Sequence, residues 1–189
     1  VIVSDPEAYM PLLTRVFAAR GIPAFLDRKR PVTGHAAVDA AVSALSAVAG
    51  EYRAEDVLRL VKTGYAGVAE EDGEVLEQYL TRTGVTGSGM LSPFRRGEPP
   101  EGAERARQTV MEPLRRLQAA LRGRTVSEKV RALYAYLVEI RLEDQLRERT
   151  KVLMDAGRIQ LMEEHAQVWN ALMGALSQLD GILGDLPVG

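Results

Sequence analysis

Apolar residues recur at helical spacing along most of the chain, most regularly in its last third. Thr125 and Glu128 have the spacing of a capping box, in which the Thr hydroxyl serves an early orphan N–H and the Glu reaches back. Behind them Val130, Leu133, Tyr134, Leu137 and Val138 fall at i, i+3, i+4, i+7 and i+8, one face of a helix. Leu142, Leu146 and Leu153 carry a second helix to Gly157, placed as a C′ residue. Leu161, Val168, Leu172, Leu176, Leu179 and Leu183 line a third, with Met162, Ala166, Trp169 and Met173 beside them. A stripe that wide predicts packing on more than one side, with Trp169 as a core anchor.

The first part of the chain has a different rhythm. Val1-Ile2-Val3 reads as a short β-branched strand. Ser4 or Asp5 caps a helix with Pro6 at its first position, whose apolar face is Tyr9, Leu12, Leu13 and Val16 with Phe17. Gly21 ends it, and residues 22–26 read as a second strand with Pro23 near its start. A strand–helix–strand unit needs further strands to complete a sheet, and no other convincing strand follows. The chain also opens at Val1, inside an apolar run. It therefore reads as a piece excised from a larger protein.

After Asp27 the pattern predicts helices only. Val38, Val42, Leu45 and Val48 mark one ending at Gly50, and Val57, Leu60 and Val61 a short one ending at Gly64. Val75, Leu76, Tyr79 and Leu80 mark one ending at Gly84. Residues 85–103, rich in Gly and Pro, are the best loop. Val110, Leu114, Leu117 and Leu121 mark the next helix, kinked or restarted at Pro113. The expected class is mainly α, with a short βαβ piece over 1–32 and a helical region over 33–185.

Composition agrees with this class. The 189 residues are 46% hydrophobic but only 5% aromatic, a helix-favouring mix. There is no Cys, which excludes disulfides and Cys-ligated zinc or iron–sulfur sites within this chain and permits a reducing cytoplasm. No apolar run approaches the ~18 residues of a membrane span.

Charge changes the picture locally. The formal net charge is −2, yet residues 51–80 hold eight acids against three bases, and residues 91–124 hold eight Arg against four Glu. The eight are Arg95, Arg96, Arg105, Arg107, Arg115, Arg116, Arg122 and Arg124. They read either as a phosphate-contacting surface or as an ordinary solvated helix face.

Catalytic motifs fail on spacing. Lys62-Thr63-Gly64 lacks the preceding glycines of a phosphate loop, since Val61 and Asp56 stand at those places. Gly87-Ser88-Gly89 lacks the spacing of a nucleophile elbow. A di-iron Glu-x-x-His ending at His165 would need Glu where Met162 stands, so His165 reads as a half-buried or capped histidine. His35 falls at a helix start. No catalytic residue and no metal ligand is expected.

Two stretches carry a resemblance. VIVSDPEAYMPLLTRVFAARGIPAFLDRKRPVTGHAAVDAAVSAL followed by EDVLRLVKTG, and HAQVWNALMGALSQLDGILGD, are similar to the B subunit of bacterial AddAB helicase–nucleases. The first resembles the start of the second RecA-like subdomain of UvrD-like helicases, after which an all-helical insertion, subdomain 2B, follows. The resemblance implies a cytoplasmic, non-catalytic accessory region of a double-strand-break repair complex, which shapes the DNA path or the contact with an AddA-like motor and nuclease subunit. It implies ATP, Mg2+ and a 4Fe-4S cluster, all held elsewhere in the parent complex, with DNA as a partner and no membrane. Ser4 stands where active relatives place Arg, which suits a subunit without motor activity. The rival expectation is a helical protein–protein module with no DNA role.

Overall fold

Helix boundaries follow the capping chemistry of the sequence. The computed structural model describes residues 6–22 and 34–188, and the chain divides into two compact units, Val1–Pro31 and Val32–Gly189. In the first unit, α1 (Pro6–Ala19) starts on Pro6 and closes at Gly21, which takes φ +61. The expected strands over 1–3 and 22–26 lie outside the described residues, except Ile22, which is in no strand.

The second unit is helical. It comprises α2 (Ala36–Ala49), α3 (Ala54–Lys62), α4 (Glu70–Thr83), α5 (Glu101–Ala120), α6 (Val126–Glu139), α7 (Leu142–Asp155) and α8 (Ile159–Leu183). A 3-10 turn, Gly87–Met90, interrupts the long loop before α5. Among the described residues the single strand-like pairing is an isolated bridge between Thr125 and Pro187. The mainly-α expectation is met. The capping box forms as expected: the Glu128 N–H donates to Thr125 Oγ1, and Glu128 Oε2 accepts from the Thr125 N–H. His35 caps α2, its Nδ1 accepting from the Ala37 N–H. α5 runs through Pro113 without restarting.

Three expected faces are corrected. In α2, Val42 is 56% exposed and Val38, Leu45 and Val48 are partly buried; the buried face is Ala37, Ala40, Ala41, Ser43, Ala44 and Ala47. The reason is that α2 packs against α3, α5 and α8 together, and small side chains let three neighbours approach one helix. In α6 the buried residues are Ala132, Leu133, Tyr136 and Leu137, while Tyr134 and Val138 are exposed. The inward arc, set by packing against α5, α7 and α8, is shifted by about one residue from the expected one. In α8 only Val168 and Leu172 of the long stripe are buried. Trp169 packs on the core's edge, partly exposed, and Leu179 and Leu183 face outward.

The loop between α4 and α5 is tied down by polar contacts. Arg107, 7% exposed, donates to both carboxylate oxygens of Glu104 and to the Met90 carbonyl, and its guanidinium lies 5.7 Å from the Phe94 ring centroid. Glu104 in turn accepts from the Phe94 N–H. From α4, Tyr79 Oη donates to the Arg96 carbonyl at 2.8 Å, and its ring meets Phe94 at 4.6 Å. Arg96 donates back to the Thr83 carbonyl, and Arg82 to that of Gly97. This segment is a rigid surface feature, built on the α4–α5 pair.

The small inward face of α2 can be tested directly. Ala44, fully buried, should not tolerate Leu: Ala44→Leu should destabilise by about 1–3 kcal/mol through overpacking, whereas Val42→Glu should change stability by less than ~0.5 kcal/mol. Urea denaturation of both variants checks this, and the reverse order would restore the Val/Leu face as the buried one.

Acid provides a second test. For Glu104 burial pushes the pKa up, but hydrogen bonds from Arg107, the Phe94 N–H and Gln108 outweigh it and hold the group low. Asp72 is held low chiefly by its hydrogen bonds from Arg105, and Glu128 by the N–H groups of Thr125 and Arg124. A carboxyl more acidic folded than unfolded stabilises the fold above its unfolded pKa and loses that contribution as pH falls. Stability should therefore hold near neutrality and decline below about pH 4.5, the ordinary value for Glu. Glu104→Gln should lower stability at neutral pH by roughly 3 kcal/mol, because it leaves the buried Arg107 charge short of its partner, and should flatten the acid decline. Thermal melts across a pH series read both.

Candidate nucleic-acid interface

The eight arginines between 91 and 124 do not share one environment. Arg107 is buried in the clamp just described. Arg105 makes a two-bonded pair with Asp72 of α4, at 2.8 and 3.1 Å, and meets Glu101 at 2.8 Å. Arg116 bridges Glu112 on its own helix, at 2.9 Å, and Glu139 on α6. These two cations stitch α5 to its neighbours on either side. Arg96 is exposed and holds the Thr83 carbonyl.

The remaining four are different. Arg95, Arg115, Arg122 and Arg124 are exposed, and none makes an ion pair with a carboxylate among the described residues. Arg115 lies on the α5 flank near Tyr52; burial raises the Tyr52 phenol's pKa and the Arg115 charge partly offsets this. Arg95 sits before the N-terminal end of α5. Arg122 and Arg124 sit beyond its C-terminal end, in the turn that leads to the Thr125 cap. A 20-residue helix is about 30 Å long, so the unpaired cations are strung along α5 rather than gathered at one point.

Part of this sorting is readable in the sequence. Glu112–Arg116 and Glu101–Arg105 have i, i+4 spacing and Glu104–Arg107 has i, i+3, which mark charges already answered on their own helix. The partners on other helices, Asp72 and Glu139, carry no such local signal. The sequence expectation for His165 also meets the structure: it is partly buried, with Nδ1 3.0 Å from the Leu161 carbonyl. Its ring packs edge-on against His35, centroids 4.5 Å apart. Among the described residues no group of three or more His, Asp or Glu could hold a metal ion, and no helix is long and apolar enough to cross a membrane.

No protein-family model matches the chain. Individual relatives do. The B subunit of an ATP-dependent helicase/deoxyribonuclease from Moorella thermoacetica is 32% identical over 202 residues, covering 98% of this chain and 18% of that protein. The protein of the same description from Ruminiclostridium cellulolyticum is 30% identical over 202 residues, with the same coverage. That from Pelotomaculum thermopropionicum is 28% identical over 204 residues, again covering 98% of this chain and 18% of the relative. The match thus takes in the arginine-bearing helix and the helices that hold it. Over 98% of its own length the chain is thus similar to these B subunits of ATP-dependent helicase/deoxyribonucleases, and it spans 18% of theirs.

Proposed function

We propose that this chain is a non-catalytic accessory region of an AddB-like subunit acting in cytoplasmic double-strand-break repair, and that it shapes the path of DNA through the complex. In this reading residues 1–32 begin a RecA-like subdomain and residues 33–185 form a helical insertion of the 2B kind. The observation that carries it is the set of four arginines left without carboxylate partners along α5. Arg105, Arg107 and Arg116 answer protein acids, so within residues 91–124 the positive charge available to an outside anion rests on Arg95, Arg115, Arg122 and Arg124, with Arg96 next to Arg95 in the chain. Contacts of this kind go to phosphates, without sequence preference.

The partner is an AddA-like motor and nuclease subunit. ATP, Mg2+ and a 4Fe-4S cluster belong to other parts of the assembly. A chain without Cys does not fit such a cluster.

The rival reading, a protein–protein module, draws on exposed apolar side chains: Val152 at 68%, Ile182 at 78% and Leu186 at 51%. One experiment separates the two. In the assembled complex, changing Arg95, Arg115, Arg122 and Arg124 to Glu should weaken DNA binding without lowering the melting temperature. The slope of log K against log salt should shrink by ~0.9 for each duplex phosphate that the variant no longer neutralises. A variant that binds and processes DNA like its parent, with the same slope, establishes the protein–protein reading instead. The chain by itself should bind DNA weakly, with Kd on the order of 10⁻⁵ M or above at physiological salt.

The chain alone should also turn over neither ATP nor DNA, since its sequence lacks the glycines of a phosphate loop and no cluster of acids or histidines among the described residues could hold a metal ion. Magnesium-dependent hydrolysis that persists through purification and scales with this chain would overturn its non-catalytic role.

A further inference from the structure

The α4–α5 loop encloses a cleft of about 450 Å3, lined by Gly84, Val85, Thr86, Ser88, Gly89 and Ser92–Arg96. Its chemistry is one-sided. Two arginines and the hydroxyls of Ser88, Ser92 and Thr86 line it, the last already accepting from the Ala54 N–H, and no carboxylate does. The backbone N–H groups of Thr86, Ser92, Arg95 and Arg96 donate to no protein acceptor among the described residues. Of the acids on or tied to the loop, Glu104 is already matched by Arg107, and Glu98, exposed in the loop itself, is not among the lining residues. An open notch rich in donors and without a carboxylate in its lining is complementary to an anion with several oxygens.

The walls are fixed before any ligand arrives. Gly87 N–H donates to the Tyr52 carbonyl at 3.0 Å, the Arg96 carbonyl accepts from Tyr79, and the Phe94 N–H is held by Glu104. Ordering this loop therefore adds little to the cost of binding. Phe94 is the single aromatic residue in the lining. It is 6% exposed, and its ring is already engaged by Tyr79 and Arg107. No π-face is left for a base, so the notch suits the backbone of a strand and not its bases.

We propose that this notch is a phosphate site that takes a phosphodiester of a passing nucleic-acid strand, with Arg95 as its principal cation and Ser88, Ser92 and the loop amides as supporting donors. This rests on the DNA-path reading above and narrows it to one anchoring point.

The test uses the 15N-labelled chain, titrated separately with a thymidine oligonucleotide and with inorganic pyrophosphate. The expected result is that both move the amide resonances of Thr86, Ser92, Arg95 and Arg96. Arg95→Ala should weaken oligonucleotide binding about three- to tenfold and reduce its salt slope by ~0.7, the value for one single-strand phosphate contact. Ser92→Asp keeps every cation but places a carboxylate in the notch, and should weaken binding at least as much. Unchanged melting curves confirm that both variants are folded. Oligonucleotide binding that maps to Arg122 and Arg124 and ignores both substitutions overturns the notch while leaving the DNA-path reading standing. Shifts with pyrophosphate but none with the oligonucleotide, at oligonucleotide concentrations well above ~10⁻⁵ M, overturn the strand assignment and leave a small-anion site, while the DNA-path reading stands or falls on the assembled complex. No shift with either probe overturns the notch as an anion site of any kind.

Discussion

The second unit depends on the closeness of packing that α2 permits. Its inward arc is Ala37, Ala40, Ala41, Ala44 and Ala47, each nearly or fully buried, and α3, α5 and α8 all pack on this one helix. Alanine loses no side-chain entropy on burial and adds little bulk, so neighbours can seat near the lower end of the usual interhelix distance of about 8–10 Å. The apolar volume then comes from the surroundings: Val57 and Leu60 on α3, Leu114 and Leu117 on α5, Val168 and Leu172 on α8. Replacing the small face by larger side chains would push all three neighbours outward at once.

That constraint reaches the candidate site through the turn after α2. A Cβ added at Gly50 would lie 2.6 Å from Asp56 Oδ2 and 3.0 Å from the Ser46 carbonyl, so a larger residue there would have to displace the Asp56 side chain of α3. Glu51 and Tyr52 then take φ of 53° and 62°, a left-handed conformation that non-glycine residues adopt at a cost. The Tyr52 ring, 2% exposed, and the bond from the Gly87 N–H to the Tyr52 carbonyl hold the turn in place. The same bond positions one end of the α4–α5 loop. The buried alanine helix, the strained turn and the anchored loop form one mechanical sequence.

Element type and most boundaries were legible in the sequence because those depend on local chemistry. Thr125 with Glu128, Pro6, Gly84 and Gly157 act on their own turns, and each does in the structure what its type predicts. Facing was less legible because it depends on neighbours. A period of 3.6 shows that a face exists, but when several helices crowd one, as around α2, the buried arc can be the small one. The same holds for α6, where Tyr134 lies outside and Tyr136 inside. The candidate site was half legible. The loop and its arginines stand out in composition, but composition cannot show that Asp72 and Glu139, 33 and 23 residues away, would claim Arg105 and Arg116.

The division among the arginines is itself informative. A cation that serves packing needs a fixed partner: Arg107 has a carboxylate, a carbonyl and an aromatic face around it, and at 7% exposure it could not do without them. A cation that serves an external anion must keep its donors unmatched until the anion comes, which is tolerable only where water reaches it. Arg95 meets that condition, exposed on a loop whose backbone is pinned from α4, from α5 and from the turn after α2. The buried guanidinium makes the loop rigid, and rigidity places the exposed one. Two residues of the same type, 12 apart in sequence, thus do opposite work: Arg107 spends its hydrogen bonds on the fold, and the fold holds those of Arg95 open to solvent.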